Sequence, residues 1–150
     1  TLYSGIAADV NLLQVMGIGA LCSILPMVNQ FETSPLNTKA EVIDYCKGNH
    51  IQAMVYSPLM SLRIGDLYKN DYTRTLKEIG SRYGKNPSQI VLRFDIQRGL
   101  IPIPKSTHSE RLSQNISLFD FELTKSDMLT LEQMNINMQT LPESKSCPGL

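Results

Sequence analysis

The sequence predicts a parallel α/β sheet, and three observations carry that reading. Short apolar, partly β-branched runs alternate with stretches of helical periodicity. The polar residues that end those runs sit at their C-terminal ends, where parallel βα units present ligand-facing groups. The last run, Ile101-Pro102-Ile103-Pro104-Lys105-Ser106, stops at a cation and a hydroxyl, with Arg111 and Asn115 just behind it.

Taken in order, Leu2 to Ile6 reads as a short strand, and Asp9 as the cap of a helix from about Val10 to Cys22. Val10, Leu12, Leu13, Val15, Met16 and Ile18 give that helix a broad buried face, and Gly17 and Gly19 weaken its end. Leu25 to Gln30 is a second strand ending in two amides, which either meet a ligand or bond the next loop. Thr38 and Glu41 form a capping box for a helix from Lys39 to Lys47, with Val42, Ile43 and Cys46 inward and Gly48-Asn49 as the stop. His50 to Val55 is a third strand, followed by Tyr56-Ser57-Pro58-Leu59, and His50 is structural.

Met60 to Asp71 reads as the longest irregular stretch, and long loops in compact domains are often functional. A pair of helices follows, Thr73 to Tyr83 and Ser88 to Arg98, with Pro87 in the first turn of the second. The run from Leu100 to Ser106 then supplies a fourth strand suited to burial on both faces, kept short by two prolines. Thr107 or Ser109 caps the helix that carries Arg111. A strand end that gathers Lys105, Ser106, Arg111 and a helix N-terminus can hold a phosphate; the alternative is two solvated cations. Leu118 to Phe121 is an apolar connector, and Thr124 caps a last helix over 125–135, with Asp127 in the box position and Met128, Leu131 and Met134 in the core. Leu141 to Leu150 is a tail.

Composition excludes several classes. With 14 basic and 14 acidic residues there is no cationic excess to grip nucleic acid. No apolar run approaches the ~20 residues of a membrane span. Three scattered cysteines argue against a disulfide framework or a zinc ribbon and favour the reducing cytoplasm. No metal-ligand cluster, nucleophile–base pair or P-loop is present. The first residue is not Met, so the N-terminus is expected to be processed, trimmed or cut from something longer.

Beyond these general features, particular motifs resemble the aldo-keto reductase superfamily. They are Val28-Asn29-Gln30, Val55-Tyr56-Ser57-Pro58-Leu59, Tyr83-Gly84-Lys85-Asn86-Pro87-Ser88-Gln89 with Leu92-Arg93, Gln97-Arg98-Gly99, and Ile103-Pro104-Lys105-Ser106 with Arg111 and Asn115. The resemblance spans roughly 1–135 and corresponds to the second half of the family's barrel. It implies a (β/α)4 half of a TIM-type (β/α)8 barrel over 1–135 and a tail over 136–150, because a full barrel needs ~250 residues.

The family reduces carbonyls with NADPH, so the resemblance implies roles residue by residue. Tyr56 would stack on the nicotinamide, and Gln30 would hydrogen-bond its carboxamide. Ser57 and Leu59 would contact the pyrophosphate through the loop that follows them. Lys105, Ser106 and Arg111 would hold the 2′-phosphate, and Asn115 would meet the adenine. Gln114 stands where the family usually has an acid and can still accept a hydrogen bond. Gly5-Ile6-Ala7-Ala8-Asp9 departs from the family's Gly-x-Ser-Asn-Phe and loses two carboxamide contacts. The family's tyrosine acid and its lysine, aspartate and histidine partners belong to the barrel's first half, so no catalytic residue is assigned here. Activity would then depend on an N-terminal half supplied elsewhere. The alternative is a non-catalytic half-barrel that serves as a binding or regulatory module without nucleotide. Four parallel strands also leave two edges and an open face, which implies self-association or pairing with the missing half.

Overall fold

The computed structural model describes residues 12–140 and the backbone of Gly5 and Ile6. The expected Asp9 cap, the Ala7-Ala8 departure and the 141–150 tail lie outside the described residues. Four strands form one sheet: β1 (Gly5–Ile6), β2 (Val28–Glu32), β3 (Gln52–Tyr56) and β4 (Ile101–Pro102). They lie in the order β1-β2-β3-β4, and every pairing is parallel. Sequential parallel order with helical crossovers is the arrangement of a partial (β/α) barrel. The helices are α1 (Leu12–Leu21), α2 (Ala40–Gly48), α3 (Ser61–Tyr68), α4 (Tyr72–Tyr83), α5 (Pro87–Gln97), α6 (Ser109–Ile116) and α7 (Lys125–Glu132).

Two apolar clusters hold these elements. One packs the sheet on its helices: Phe31, Ala53 and Val55 from the strands meet Val42, Ile43 and Cys46 of α2 and Val15 of α1. The other lies among the later helices, where Leu76 and Ile79 of α4 meet Ile90, Val91 and Phe94 of α5 and Leu131 of α7. The chain beyond α7 joins this second cluster. Ile136 and Met138 both donate their N–H to the Leu36 carbonyl, and Met138 is buried.

The sheet has one covered face and one open face. Along β2 and β3 the side chains alternate, so Asn29, Phe31, Ala53 and Val55 are buried while Val28, Gln30, Met54 and Tyr56 are only half-buried. Met54 is in register with Gln30 on one side and Ile101 on the other. Ile101 and Ile103 remain 46% and 41% exposed. The expectation that the fourth strand is buried on both faces is therefore corrected. Leu100, at 4% exposure, packs on the helix side, and the opposite face has no covering element among the described residues.

Other expectations also move. Met60 to Asp71 is mostly the helix α3 rather than a loop, so three helices, not two, separate β3 from β4. Gly65 and the absence of a side-chain cap hide that helix in the sequence. Its stability is tertiary: Gly65 lies so close to the Tyr72 ring that a Cβ would sit 2.3 Å from it. The Ser61 and Tyr72 hydroxyls share a 2.9 Å hydrogen bond, and the Thr73 N–H donates to Asp66 at 2.8 Å.

Thr38 does not cap α2. Lys39 occupies that position with a left-handed φ of 47°. The Thr38 N–H donates to Asn135, and its carbonyl accepts from Arg98. Neither Thr107 nor Ser109 caps α6, whose N-cap is His108; the Ser106 hydroxyl instead accepts from the His108 N–H at 3.2 Å. β2 runs later than Leu25 to Gln30 because Phe31 and Glu32 continue the ladder against Val55 and Tyr56. Gln30 is thus mid-strand. On α1, Leu13 (78% exposed) and Met16 (45%) face outward rather than into the core. The Thr124 cap stands, its hydroxyl accepting from the Asp127 N–H, although α7 stops at Glu132.

Candidate functional site

A cavity of about 630 Å³ lies beyond the C-terminal ends of β3 and β4. One wall is the segment after β4 with α6, which supplies Lys105, Ser106, Arg111, Gln114 and Asn115. The chain after β3 and the first turn of α3 supply Leu59, Leu62 and Arg63 to the same lining. Ser88, Thr107 and His108 complete the lining. Lys105, Arg111, Arg63 and His108 thus border one space, and among the described residues no carboxylate lines it. Among the described residues none of the three permanent cations is in an ion pair. Cations gathered without counter-charges make a place for an anion.

The Lys85-Asn86-Pro87-Ser88-Gln89 segment explains how α6 is held at this cavity. Asn86 and Gln89 form a reciprocal capping box at the start of α5, with Pro87 in its first turn. The same two side chains reach across to α6. The Asn86 amide donates to Gln114 Oε1 at 3.0 Å, and the Gln89 amide donates to the Gln114 and Ser117 carbonyls at 3.3 and 3.1 Å. Lys85 fixes the following loop through Asp120 at 2.6 Å. Gln114 does accept a hydrogen bond, but from Asn86, so its side chain positions the wall. Asn115 is buried and lines the cavity.

Gln30, Tyr56 and Ser57 do not line this cavity. Gln30 and Tyr56 stand half-buried on the open face of the sheet. Ser57 follows β3 directly with φ of 48°, a left-handed conformation that is strained for a serine. Its carbonyl accepts from the Met60 N–H at 3.0 Å. That turn sends the chain into α3, whose start brings Leu62 and Arg63, with Leu59, to the cavity that Lys105 also lines. Asn29, the other strand amide, belongs to the core: it is fully buried and its Nδ2 lies 3.7 Å from Cys46 Sγ. Burial pushes the Cys46 thiol up, only partly offset by that contact, so it is an unreactive thiol.

Sequence reasoning missed Leu62, Arg63, Ser88, Thr107 and His108. The length of the segment after Met60 was a usable signal for Leu62 and Arg63, but their side of the cleft depends on α3 being helical.

The sequence pattern of the Aldo/keto reductase family matches residues 8–136. The chain belongs to the aldo-keto reductase family. An uncharacterized oxidoreductase of Bacillus subtilis, YtbE, is 42% identical over 120 residues, a match covering 80% of this chain and 41% of that protein. The glyoxal reductase of the same organism is 42% identical over 112 residues, covering 75% of this chain and 38% of its own length. The Bombyx mori aldo-keto reductase AKR2E4, solved in complex with NADP, superposes with a TM-score of 0.82 at 36% identity, over 91% of this chain and 46% of that one. The chain thus spans less than half the length of these relatives. Among the described residues no helix is long and apolar enough to cross a membrane, and no group of three His, Cys, Asp or Glu side chains could hold a metal.

Proposed function

We propose that residues 1–135 supply the NADPH-binding half of an aldo-keto reductase barrel, with 136–150 as its tail. The observation that carries this reading is the cavity that collects Lys105, Ser106, Arg111, Gln114 and Asn115 on one wall. Its donors suit the adenosine end of a phosphorylated dinucleotide. Lys105 and Arg111 offer cationic donors to a 2′-phosphate, with the Ser106 hydroxyl beside them. The Asn115 amide is available to adenine, and Leu59 and Leu62 give a flat ring an apolar wall. NADPH, when bound, supplies the hydride for carbonyl reduction. Gln30 holds the carboxamide and Tyr56 stacks on the ring, both from the open sheet face. Ser57 and Leu59 border the pyrophosphate. The AKR2E4 complex with NADP supports the choice of cofactor.

Protonation of the carbonyl oxygen needs a general acid, which in this family comes from the other half of the barrel. We therefore propose that the open face around Met54, Ile101 and Ile103 pairs with an N-terminal half, and that turnover waits on that pairing. Free Cys22 and Cys46 suit a cytoplasmic setting. Ala7 and Ala8, where the family places serine and asparagine, favour a second reading, a half-barrel module that has lost the nucleotide.

Fluorescence titration of the 150-residue chain with NADPH, beside an aromatic-aldehyde assay, separates these readings. Binding without turnover is the outcome our reading requires. A chain that binds neither NADPH nor NADH refutes it and leaves the nucleotide-free module.

A further inference from the structure

A second cavity, of about 700 Å³, shares no lining residue with the candidate cofactor site. Its lining comes from the start of α1, the start of α2 and the chain beyond α7. No side chain caps α2, and the N–H groups of Ala40, Glu41 and Val42 have no acceptor among the described residues. Lys39 precedes them with a left-handed φ of 47°. A left-handed residue followed by helical ones turns successive N–H groups to one side, an arrangement that cradles anions. An independent observation comes from Asn37. It lines the same cavity, is only 3% exposed, and its Nδ2 has no hydrogen-bond partner. Its backbone is held in place by two hydrogen bonds to Ser34. An unpaired buried amide is costly, and folded proteins supply such a donor with an acceptor from protein, water or ligand.

From these observations we infer a second ligand site, at the start of α2, that takes a small monocarboxylate with an apolar body. The carboxylate meets the uncapped N–H groups, with Lys39 as its counter-charge, and accepts from Asn37 Nδ2. Leu12, Leu13 and Val42, which also line the cavity, give the apolar body its surface. Charge selects the ligand class. Among the described residues Lys39 and Glu41 are the two charged members of the lining, and neither is in an ion pair. Lys39 alone balances one carboxylate, whereas the Glu41 carboxylate repels a dianion such as phosphate. The site stands apart from the nucleotide reading and does not depend on it.

The test follows the backbone and side-chain amides of the 150-residue chain by heteronuclear NMR during titration with benzoate, benzamide and inorganic phosphate. Benzoate should shift the amides of Lys39 to Val42 and the Asn37 side chain along one saturating curve. Benzamide, the same ring without the charge, should bind at least about tenfold more weakly, the scale of one charge-assisted hydrogen bond. Phosphate should also bind at least about tenfold more weakly than benzoate, and Glu41→Gln should narrow that gap. Lys39→Ala and Asn37→Leu should each weaken benzoate by about fivefold or more. Asn37→Leu removes the unpaired donor, so without ligand it should melt no lower than wild type while losing the stabilisation that benzoate gives. No saturating shift at Lys39 to Val42 would overturn the inference, as would benzamide binding as tightly as benzoate or phosphate binding more tightly. Shifts confined to Ser106 to Arg111 would put the carboxylate in the cofactor cavity and overturn it as well. An Asn37→Leu chain that folds and binds benzoate like wild type would contradict it, and if that variant does not fold, an unchanged affinity in Lys39→Ala does the same.

Discussion

Lys105, Ser106, Arg111 and Asn115 line a cavity of about 630 Å³, whereas Gln30 and Tyr56 stand on a sheet face where Ile101 and Ile103 are still 46% and 41% exposed. Both regions belong to the same four strands. They differ in what finishes them. The proposed adenosine end is lined by residues of α3, α5 and α6, and Asn86 and Gln89 tie the start of α5 to Gln114 of α6. The proposed nicotinamide end lies on the open sheet face, where no element among the described residues covers it. On the proposed reading the two ends of the cofactor site are finished differently: the described residues line the cavity, and none of them covers the sheet face of Gln30 and Tyr56.

The comparison breaks most visibly if the two ends respond alike to substitution. Lys105→Ala or Arg111→Ala should cost NADPH about 10- to 100-fold in affinity in this chain, the scale of a lost charge-assisted hydrogen bond. NADH should change little, and equal loss for both would refute the 2′-phosphate assignment. Gln30→Ala and Tyr56→Ala should change NADPH affinity by less than about threefold here, because an unfinished end contributes little. A tenfold loss from either would show that the nicotinamide end is already formed.

Asn86→Ala sharpens the same contrast through stability. It removes a cap worth about 1 kcal/mol and the tie to Gln114, so the melting temperature should fall by several degrees. NADPH affinity should fall with it, since α6 carries Arg111 and Asn115. A destabilised variant with intact affinity would mean that the tie does not position the wall.

The smallest effect is in pH. Asp95 of α5 is fully buried, and neither carboxylate oxygen has a hydrogen-bond partner. Burial drives its pKa well up, and the Arg98 charge only partly opposes that. The unfolded chain ionises this group at an ordinary carboxylate pH and the folded chain does not. Stability is therefore full at low pH and is lost as pH rises through the raised folded value. Asp127 works the other way. Its burial alone would raise the pKa, but hydrogen bonds from Tyr83 and Thr124 and the Arg82 charge outweigh it and hold the group down. Its contribution is present above the ordinary carboxylate range and lost as pH falls through the folded value. Asp95→Asn should accordingly gain on wild type in melting temperature as pH rises from 5 to 8, with adenosine 2′-monophosphate affinity unmoved. A difference that is flat across that range would show that Asp95 is not buried as described.

How much of this was legible in the sequence depended on whether the signal was local. The Thr124 cap, Pro87 in a first turn and the α2 core positions follow from nearest-neighbour chemistry, and the structure keeps them. So did the grouping of Lys105, Ser106 and Arg111, because strand end and helix start lie a few residues apart. α3 was not legible: its stability comes from Tyr72 packing over Gly65, a contact between separate helices that local propensity cannot report. With α3 went Leu62 and Arg63, and so one whole wall of the cleft. The cap at Thr38 failed for a related reason, since Asn135 and Arg98, far along the chain, claim its backbone groups.

The most direct test of the account is calorimetric titration of the chain with adenosine 2′,5′-bisphosphate against adenosine 5′-monophosphate. We predict that the bisphosphate binds at least about tenfold more tightly, the worth of one well-held phosphate, and that Lys105→Ala abolishes the preference. Equal affinity for the two nucleotides would contradict the claim that this cleft recognises a 2′-phosphate.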